Sequence, residues 1–303
     1  MKWWKPLKGK VKIKEKLCRH TTFRVGAAAD FFVYPKDAAD LKLLLNLLKR
    51  GKMPFLLIGA GSKILASDKG FRGVVISLDS PYFKEIRCRG NYLEAGGAVK
   101  LGKLLSVARK HGLSGAEFLA GIPATIGGAL AMNAGISQKT KDAKIKTRDI
   151  SQLVTEVTVM DYNGDIKRLK RKEINFGYRR GSFSKYIILS ASLRLRKKDR
   201  RQVTESMKEY LDYRKRTQDS SWLSAGCVFK NPKGYSAGRL IDLCSLKGKK
   251  IGGASISMRH ANFIINTGGA KAGDILRLMA LISEKVRLKF NIELEPEIKI
   301  WQN

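Results

Sequence analysis

The chain has 303 residues, 44% of them hydrophobic, which is enough to bury a core in one large domain or in two to three smaller ones. This supply of aliphatic residues excludes a disordered chain, although aromatic residues make up only 8%. The net charge of +34 indicates a surface that attracts nucleic acid, acidic lipid or phosphorylated small molecules, although a lysine-rich proteome with solvated side chains explains it equally well.

The first eighty residues predict a small α/β unit. Apolar residues that alternate with lysines over 11–17 indicate an edge strand or a basic tail, and 31–34 reads as a strand. A helix is predicted over 37–50, with Gly51 as its C-cap and an apolar face formed by Leu41, Leu44, Leu45 and Leu48. Short strands at 55–58 and 71–78 complete the alternation.

A second unit begins near Tyr92, where a strand leads into paired glycines. The helix that follows ends at Gly112 and has an apolar face formed by Leu101, Leu104, Leu105 and Ala108. Pro123 is suited to the first turn of another helix. Asn163 and Gly164 lie between strand-like runs at 154–161 and 166–169, which predicts a hairpin, and 187–195 is one more strand.

The third unit is predicted to start with a charged helix over 199–218. It continues to a helix over 272–290 whose buried face would be Ile275, Leu278, Met279, Ile282 and Val286. Apolar and polar residues then alternate over 292–300, which predicts a final strand with Glu293, Glu295 and Glu297 on one face.

Four glycine-rich turns, at 59–62, 96–97, 112–115 and 121–128, could bring the backbone close to an anion. Gly112 is adequately explained as a helix C-cap. Residues 97–104 nearly match a phosphate-binding P-loop but lack the hydroxyl residue after the lysine, so we reject that match. No GxGxxG opens a βαβ unit, which disfavours a Rossmann nucleotide site.

The segment 121–128 is more specific, because it combines a proline, a threonine and paired glycines at a predicted helix N-terminus. Free N–H groups and the helix dipole there favour a diphosphate. Tight packing of a helix on a sheet through small residues is an equally good explanation of the same pattern.

The cysteines and histidines predict neither disulfides nor a metal site. Cys18, Cys88, Cys227 and Cys244 form no CxxC pair, and the three histidines are far apart. The lysine-rich start of the chain has no apolar segment typical of a signal peptide, and the longest uncharged run, 119–138, is broken by glycines. We therefore expect a cytoplasmic protein with reduced thiols and no membrane span.

Seven segments together resemble the UDP-N-acetylenolpyruvoylglucosamine reductase (MurB) family, in its shorter class. They follow the family's order from His20 to Trp301: residues 20–26, 59–62, 112–123 continuing to 132–135, 177–183, 224–232, 260–266 and 294–298. The resemblance implies an α+β chain with a two-lobed FAD-binding domain of the vanillyl-alcohol oxidase/PCMH type and a C-terminal α/β substrate domain. The implied ranges are 1–80 for FAD-binding lobe 1, 81–198 for lobe 2 and 199–303 for the substrate-binding domain.

The resemblance also implies an activity: NADPH-dependent reduction of UDP-N-acetylglucosamine enolpyruvate to UDP-N-acetylmuramate through FAD, in peptidoglycan precursor synthesis. Hydride from flavin N5 would add to the terminal carbon of the enol ether. Negative charge would develop at the adjacent carbon and its carboxylate, which requires fixed donors there and an acid. We expect a monomer that binds a UDP-sugar and no specific nucleic acid.

Three residues are the implied catalytic groups. Arg179 supplies a permanent charge with a fork suited to a carboxylate, and a surface salt bridge is its alternative. Glu297 would stabilise the intermediate as a protonated carboxyl, and a solvated strand face is its alternative. Cys227 would donate the proton, since an unperturbed thiol with a pKa of about 8.5 gives up its proton far more readily than a hydroxyl. A small buried apolar side chain is the alternative for Cys227.

The remaining implied site residues fall into two groups. Those expected to bind the cofactor are Gly59, Ala60, Gly61, Ser62, Gly121, Ile122, Pro123, Thr125, Gly127, Gly128 and Asn133. Those expected to contact the UDP-sugar or NADPH phosphates are Tyr178, Lys230, Asn231 and Arg239. His260 is interpreted as structural, and a protonated histidine near a nucleotide phosphate is its alternative. Three residues depart from the family pattern, namely Lys63, Ala124 and Asp219, and an extra Cβ at position 124 could crowd the cofactor.

Two rival functions remain open at this point. A nucleic-acid-binding protein would explain the charge of +34, but the sequence contains no recognised RNA- or DNA-binding motif. An oxidase or dehydrogenase of the same flavin fold is the second rival, and the segments around Cys227 and Glu297 argue against it. The sequence does not decide between NADPH and NADH.

Overall fold

The computed structural model describes residues 2–139, 145–219 and 222–301. Within them, six helices alternate with short strands. The helices are α1 (Ala38–Arg50), α2 (Leu101–Lys110), α3 (Ile126–Ala131), α4 (Arg200–Thr217), α5 (Ala237–Leu243) and α6 (Ala272–Phe290). The strands are β1 (Lys10–Lys16), β2 (Ala28–Tyr34), β3 (Phe55–Ile58), β4 (Ile64–Ala66), β5 (Phe71–Ser77), β6 (Ile86–Arg89), β7 (Tyr92–Gly96), β8 (Leu113–Ser114), β9 (Gly135–Lys139), β10 (Ile145–Asp149), β11 (Val154–Asp161), β12 (Ile166–Lys170), β13 (Phe176–Gly177), β14 (Arg180–Gly181), β15 (Tyr186–Arg194), β16 (Arg196–Lys197), β17 (Leu223–Cys227), β18 (Lys250–Ile251), β19 (Ala254–Ile256), β20 (Phe263–Asn266) and β21 (Lys299–Trp301).

The chain packs into two compact units, and neither is continuous in sequence. The first unit comprises Met1–Lys12, Phe32–Gly59 and Val74–Asp212, and the second comprises Ile13–Phe31, Ala60–Gly73 and Tyr213–Asn303. The ranges 1–80, 81–198 and 199–303 assign functions to parts of the chain, and that assignment stays a prediction.

The first unit contains a five-stranded antiparallel sheet in the order β12-β11-β15-β7-β6. Helix α3 packs on β7 and β15. The predicted hairpin between β11 and β12 is confirmed: Gly164 adopts a φ of +88°, and the Asp161 carboxylate accepts the N–H groups of Asn163 (2.9 Å) and Asp165 (3.0 Å). Left-handed backbone of this kind favours glycine, which is why Asn-Gly is a reliable hairpin signal.

Helix α1 forms for the reasons that its sequence indicates. The Asp37 side chain accepts the N–H of Asp40 at 2.9 Å and caps the first turn. Its four predicted leucines are all at most 2% exposed. Gly51 is the C-cap but has a φ of −79°, so this helix ends without the left-handed turn that usually requires glycine. Strands β3 and β5 then pair in parallel.

The second unit contains a four-stranded antiparallel sheet in the order β17-β20-β19-β18. Helix α6 packs against β18, β19 and α5. The five residues predicted for its apolar face are all buried, together with Ala272 and Asp274. A separate parallel pair joins β21 to β4. A spacing of three to four residues is therefore enough to locate the buried face of a long helix.

The predicted final strand over 292–300 is wrong for most of its length, because only Lys299–Trp301 is a strand. Pro296 lacks an N–H and makes a single bridge with Phe229, so the alternating pattern does not continue as a ladder. Glu297 is buried whereas Glu293 and Glu295 are exposed, so these residues do not share a face.

In the part of the chain that the structure describes, no helix has the length and apolar character needed to cross a membrane. No group of three or more His, Cys, Asp or Glu side chains is placed to hold a metal ion in the same residues.

Asp274 near the start of α6 leads to a stability prediction. Its carboxylate accepts the N–H groups of Lys271 (3.0 Å) and Gly253 (3.3 Å) and pairs with Arg277 at 2.7 Å. The hydrogen bond from the Lys271 backbone is the main cause that lowers the pKa of Asp274. We expect Asp274→Ala to lower the free energy of unfolding at pH 7 by about 1–3 kcal/mol, because the N–H groups of Lys271 and Gly253 lose a charged acceptor.

The expected pH dependence follows from the lowered pKa. An unfolded aspartate has a pKa of about 3.9, so the stabilisation is complete above that pH and is lost as the pH falls through the lower folded pKa. Urea midpoints of both proteins between pH 7 and pH 3 test this, with Asp242→Ala, which removes an exposed carboxylate, as control. If the difference in urea midpoint between wild type and Asp274→Ala were the same at pH 3 as at pH 7, this role of the Asp274 carboxylate would be contradicted.

Candidate functional site

Cys227 lies at a bulge that ends β17. The pairing of β17 with β20 shifts register between Ser224 and Cys227, and Gly226 has a φ of +70°. A bulge with glycine in the left-handed region turns the next side chain away from the regular pleat. The Cys227 side chain is consequently half-buried at the edge of the sheet.

The segment that carries Glu297 runs alongside the residues that follow Cys227. The N–H of Lys230 donates to the carbonyl of Glu295, and the N–H of Glu297 donates to the carbonyl of Val228, both at 2.8 Å. These two bonds place Glu297 beside the Cys227 loop, although the residues are seventy positions apart in sequence.

Asn262 holds the same loop from the other side. Its Nδ2 donates to the carbonyl of Phe229 at 2.8 Å, and its Oδ1 accepts the N–H of Phe229 at 3.0 Å. Asn262 is buried, so both bonds satisfy polar groups that water does not reach. The loop after Cys227 is therefore fixed by backbone and side-chain bonds on two sides.

Lys63 connects the two predicted catalytic residues of this unit. Its Nζ lies 2.7 Å from Oε1 of Glu297 and donates to the carbonyl oxygen of Cys227, also at 2.7 Å. Glu297 is 7% exposed. An ion pair requires a carboxylate at Glu297, whereas the family resemblance implies a protonated carboxyl.

Arg179 belongs to the first unit, where Arg179 and the nearby Gly177 are hydrogen-bonded to the segment that follows α3. Its Nη1 donates to the carbonyl of Gly135 at 3.1 Å, and Nδ2 of Asn133 donates to the carbonyl of Gly177 at 3.1 Å. Its guanidinium carbon lies 5.4 Å from the centre of the Tyr178 ring. Cys227 and Glu297 belong to the second unit, so a shared role of all three residues stays a prediction.

The four residues predicted to bind substrate differ in their exposure and in their contacts with the rest of the protein. Lys230 pairs with the exposed Glu295, and Oδ1 of Asn231 accepts the N–H of Ala237 at 3.0 Å. Arg239 lies exposed on α5. Tyr178, in the first unit, is 48% exposed and stacks on Arg179. Their contact with substrate stays a prediction.

His260 and Asp219 take part in a hydrogen-bonded corner. Nδ1 of His260 accepts the N–H of Asn262 at 3.2 Å, and burial lowers the pKa of His260. Both features favour the neutral imidazole, in keeping with a structural role. Asp219, one of the departures from the family pattern, accepts the Ser257 hydroxyl at 2.7 Å. Ser257 in turn accepts the N–H of His260 at 3.2 Å.

The turn at Ala60–Ser62 fits a diphosphate. The backbone N–H groups of Ala60, Gly61 and Ser62 donate to no backbone carbonyl among the described residues. Gly61 has a φ of +66°, and a Cβ on it would lie 1.9 Å from the carbonyl oxygen of His20. Consecutive N–H groups around a left-handed residue form a concave anion site. FAD carries such a diphosphate, so the predicted cofactor residues at this turn suit it.

The helix after Pro123 begins later than the sequence predicts. It starts at Ile126, and Thr125 is its N-cap, with Oγ1 accepting the N–H of Gly128 at 3.2 Å. Residue 125 instead bridges to Lys100 in extended conformation, which keeps Pro123 outside the helix. Tertiary pairing thus overrides the local preference of proline for the first turn.

The expectation of free N–H groups at the start of α3 is wrong. The N–H of Ile126 donates to the carbonyl of Val99 and that of Gly127 to the carbonyl of Gly97, both at 2.8 Å. Gly128 donates to Thr125. A Cβ on Gly127 would lie 3.1 Å from the Gly97 oxygen, so close packing accounts for this glycine.

The other predicted cofactor residues lie in the same first unit. A Cβ on Gly59 would lie 2.6 Å from Oγ1 of Thr125, so these two predicted residues are neighbours. Gly121 has a φ of +75°, and the N–H of Ile122 is used by Leu119. Asn133, at a φ of +41°, is engaged through both ends of its amide. Their contacts with FAD stay predictions.

Gly61→Ala is expected to reduce flavin binding strongly. The new Cβ would overlap the His20 carbonyl, and left-handed backbone costs an L-residue roughly 1–2 kcal/mol in addition. The flavin-to-protein absorbance ratio after purification measures the effect. Gly90→Ala is the matched control, because Gly90 is also left-handed (φ +58°) but has nothing within 4 Å of its Cβ position. Full flavin content in Gly61→Ala would contradict the assignment.

The sequence gives no sign of the contacts of Lys63 and Asn262. Lys63 stands out in the sequence only as a departure from the family pattern, and Asn262 only as part of the segment 260–266. A lysine directly after a glycine turn gives no signal of a partner 234 residues later, since Glu297 reaches it only through tertiary pairing.

Positive charge concentrates at one concave surface of the first unit. Seven of the fourteen residues that line it are Lys or Arg, against 60 of 303 in the whole chain. These seven are Lys103, Arg109, Lys110, Lys197, Lys198, Arg200 and Arg201. This surface is one place where the expected attraction of anions would act.

Comparison with known proteins gives consistent matches along the chain. Residues 29–170 match the family model "FAD binding domain", and residues 218–301 match "UDP-N-acetylenolpyruvoylglucosamine reductase, C-terminal domain". The UDP-N-acetylenolpyruvoylglucosamine reductase of Bacillus pumilus is 37% identical over 295 residues, covering 96% of this chain and 94% of that protein. The UDP-N-acetylenolpyruvoylglucosamine reductase 2 of Symbiobacterium thermophilum is 39% identical over 295 residues, covering 97% and 92%.

A solved structure agrees with the sequence matches. The crystal structure of the UDP-N-acetylenolpyruvylglucosamine reductase (MurB) from Thermus caldophilus superposes with a TM-score of 0.80 at 32% identity, covering 98% of this chain and all of that chain. Together with the FAD-binding match, it confirms the predicted fold class, an α+β flavin-binding fold with a C-terminal domain.

Proposed function

The chain belongs to the UDP-N-acetylenolpyruvoylglucosamine reductase family of FAD-dependent oxidoreductases, and from this premise we propose that it reduces UDP-N-acetylglucosamine enolpyruvate to UDP-N-acetylmuramate with NADPH. The observation that supports this most directly is the buried Glu297 beside the Cys227 loop, both held by Lys63. A surface carboxylate and an isolated buried thiol, the two alternatives from sequence, would not be joined in this way.

The reaction adds a hydride and a proton across the carbon–carbon double bond of an enol ether that bears a carboxylate. FAD, whose diphosphate the turn at 59–62 would hold, would supply the hydride for the terminal carbon once NADPH had reduced it. The electron pair of the double bond moves to the adjacent carbon and its carboxylate, where negative charge develops. The residues of the chain must stabilise that charge and deliver a proton to that carbon.

Cys227 has the proton-donor role in this proposal. The S–H bond breaks as a C–H bond forms at the carbon that carries the enol oxygen, and the thiolate regains a proton from solvent. The half-buried position at a fixed bulge keeps the thiol accessible while its loop is held by Asn262 and Lys63. A fixed donor avoids the entropic cost of positioning the acid in each turnover.

Arg179 and Glu297 have electrostatic roles. The guanidinium of Arg179 is positioned by Gly135 and Tyr178 and presents a planar fork that matches a carboxylate. Glu297 is proposed to stabilise the intermediate, and the Lys63 ammonium holds its carboxyl group in place.

The wider setting is part of the same proposal. We place the reaction in the cytoplasm, carried out by a monomer, as a step of peptidoglycan precursor synthesis that serves cell-wall growth, cell shape and division. Reduced thiols are compatible with that compartment. Lys230, Asn231 and Arg239 are proposed contacts for the UDP-sugar, together with Tyr178.

Anaerobic consumption of NADPH tests the proposed function. We expect steady consumption only when the enolpyruvyl UDP-sugar is present, with one NADPH used for each substrate reduced. An oxidase of the same fold would instead consume NADPH or another donor only with oxygen, and a nucleic-acid-binding protein would be colourless. Either result would contradict the proposal.

A further inference from the structure

Lys63 contacts both the Cys227 loop and Glu297 in the second unit. It follows the glycine turn at 59–62, and its main-chain carbonyl accepts the N–H of Lys299 at 2.7 Å. Its side chain crosses to the Cys227 loop, where the ammonium lies 3.5 Å from the position of a Cβ on Gly226. Lys63 is thus held by its backbone next to β21 and by its side chain over the bulge.

The ammonium makes two short contacts with groups of different origin. One is the Cys227 carbonyl and the other is the Glu297 carboxylate, each at 2.7 Å. A carbonyl and a carboxylate are the acceptors that a lysine can serve with two of its three N–H groups. The lysine therefore fixes the separation between the strand end that carries the thiol and the segment that carries the carboxylate.

The ion pair between Lys63 and Glu297 affects stability because its carboxylate is buried. The side chain of Glu297 is 6% exposed, and that of Lys63 is 25% exposed. A buried carboxylate that loses its cation is strongly destabilised, while the partly exposed lysine can still be solvated. Glu297 thus depends on Lys63 more than Lys63 depends on Glu297.

We propose that Lys63 is a positioning residue for the reduction step, which sets the geometry of the Cys227 loop and of Glu297 through its bridging ammonium. This inference rests on the proposed function of Cys227 and Glu297. Lys63 acts through these residues, so its loss should affect the delivery of hydride and proton to substrate and leave the reduction of the flavin by NADPH unaltered.

Rapid mixing of two variants tests the proposal. We expect Lys63→Met to keep bound flavin and to be reduced by NADPH within about twofold of the wild-type rate. Reoxidation of the reduced enzyme by the enolpyruvyl UDP-sugar should fall on the order of 10²-fold, which is the effect of a misplacement of about 1 Å. Lys63→Arg, which keeps a cation of similar length, should recover most of that loss. Equal reoxidation rates in wild type and Lys63→Met would overturn the proposal.

A double-mutant cycle measures the coupling between Lys63 and Glu297 from protein stability alone, without enzyme turnover. In urea unfolding, Lys63→Met and Glu297→Gln should each lower the midpoint, and the double variant should be more stable than the sum of the two losses predicts. Strict additivity would overturn the proposal. If Lys63→Met alone fails to fold, the double variant is expected to restore a folded protein, and its failure would count equally against the bridge.

The outcomes separate this inference from the proposed function. A wild-type enzyme that never turns over the enolpyruvyl UDP-sugar would contradict the function, whereas the unfolding cycle would still report the Lys63–Glu297 coupling. Normal wild-type turnover with an unaffected Lys63→Met variant would contradict the positioning role alone.

Discussion

Cys227→Ala is expected to lower the rate of substrate reduction by about 10²- to 10⁴-fold, the usual contribution of a positioned acid. Reduction of the bound flavin by NADPH should stay within about twofold of wild type, because that step needs no proton at the substrate carbon. Cys227→Ser should remain active, since a hydroxyl at the same bulge keeps a transferable proton. Single-turnover absorbance of the flavin measures both half-reactions separately.

Cys244→Ala is the control for this prediction. Cys244 lies in the same unit as Cys227, and burial raises the pKa of its thiol, which makes it a poorer acid. We expect this variant to behave as wild type in both half-reactions. Full turnover by Cys227→Ala, with flavin content unchanged, would refute the proton-donor role.

Glu297→Gln is expected to lower kcat and kcat/KM together by about 10²- to 10³-fold, as for the loss of one group that stabilises developing charge. An equal fall in both constants marks an interaction made only in the transition state. Glutamine keeps the shape of the side chain but lacks the carboxylate that pairs with Lys63. The partly exposed Lys63 stays solvated, so the variant should fold and bind flavin.

Glu293→Gln is the matched control, because Glu293 is exposed and four residues from Glu297. It should leave both constants within about twofold of wild type, as is usual for surface substitutions. A raised KM with unchanged kcat in Glu297→Gln would assign Glu297 to substrate binding and contradict its role in the reduction step.

Helices were predicted well from sequence where local periodicity decides the structure. The apolar faces of α1 and α6 repeat every three to four residues, and both helices form within one residue of the predicted bounds. The Asn163–Gly164 hairpin was equally predictable, because only a few turn types join two strands so closely.

The features that were predicted wrongly depend on contacts between residues that are distant in sequence. Residues 292–298 alternate like a strand, but Pro296 prevents a continuous ladder and the segment instead follows the Cys227 loop. The N–H groups at the start of α3 are used by the carbonyls of Val99 and Gly97. No local pattern reveals either partner.

The candidate site likewise contains residues that could be identified from sequence and a contact that could not. The cysteine, the arginine and the glutamate were identified through a family resemblance, which carries tertiary information that a single sequence lacks. The ion pair of Lys63 with Glu297 lies outside that resemblance, since Lys63 departs from the family pattern. A substitution that breaks a pattern is therefore a place to look for contacts specific to this chain.

The absorbance spectrum of the purified protein, recorded without oxygen before and after NADPH and then after the enolpyruvyl UDP-sugar, tests the proposed reduction most directly. We predict flavin bands that bleach with NADPH and return in full with one equivalent of the UDP-sugar. A protein without flavin bands, or one whose bleached flavin is restored by oxygen and not by the UDP-sugar, would contradict the proposal.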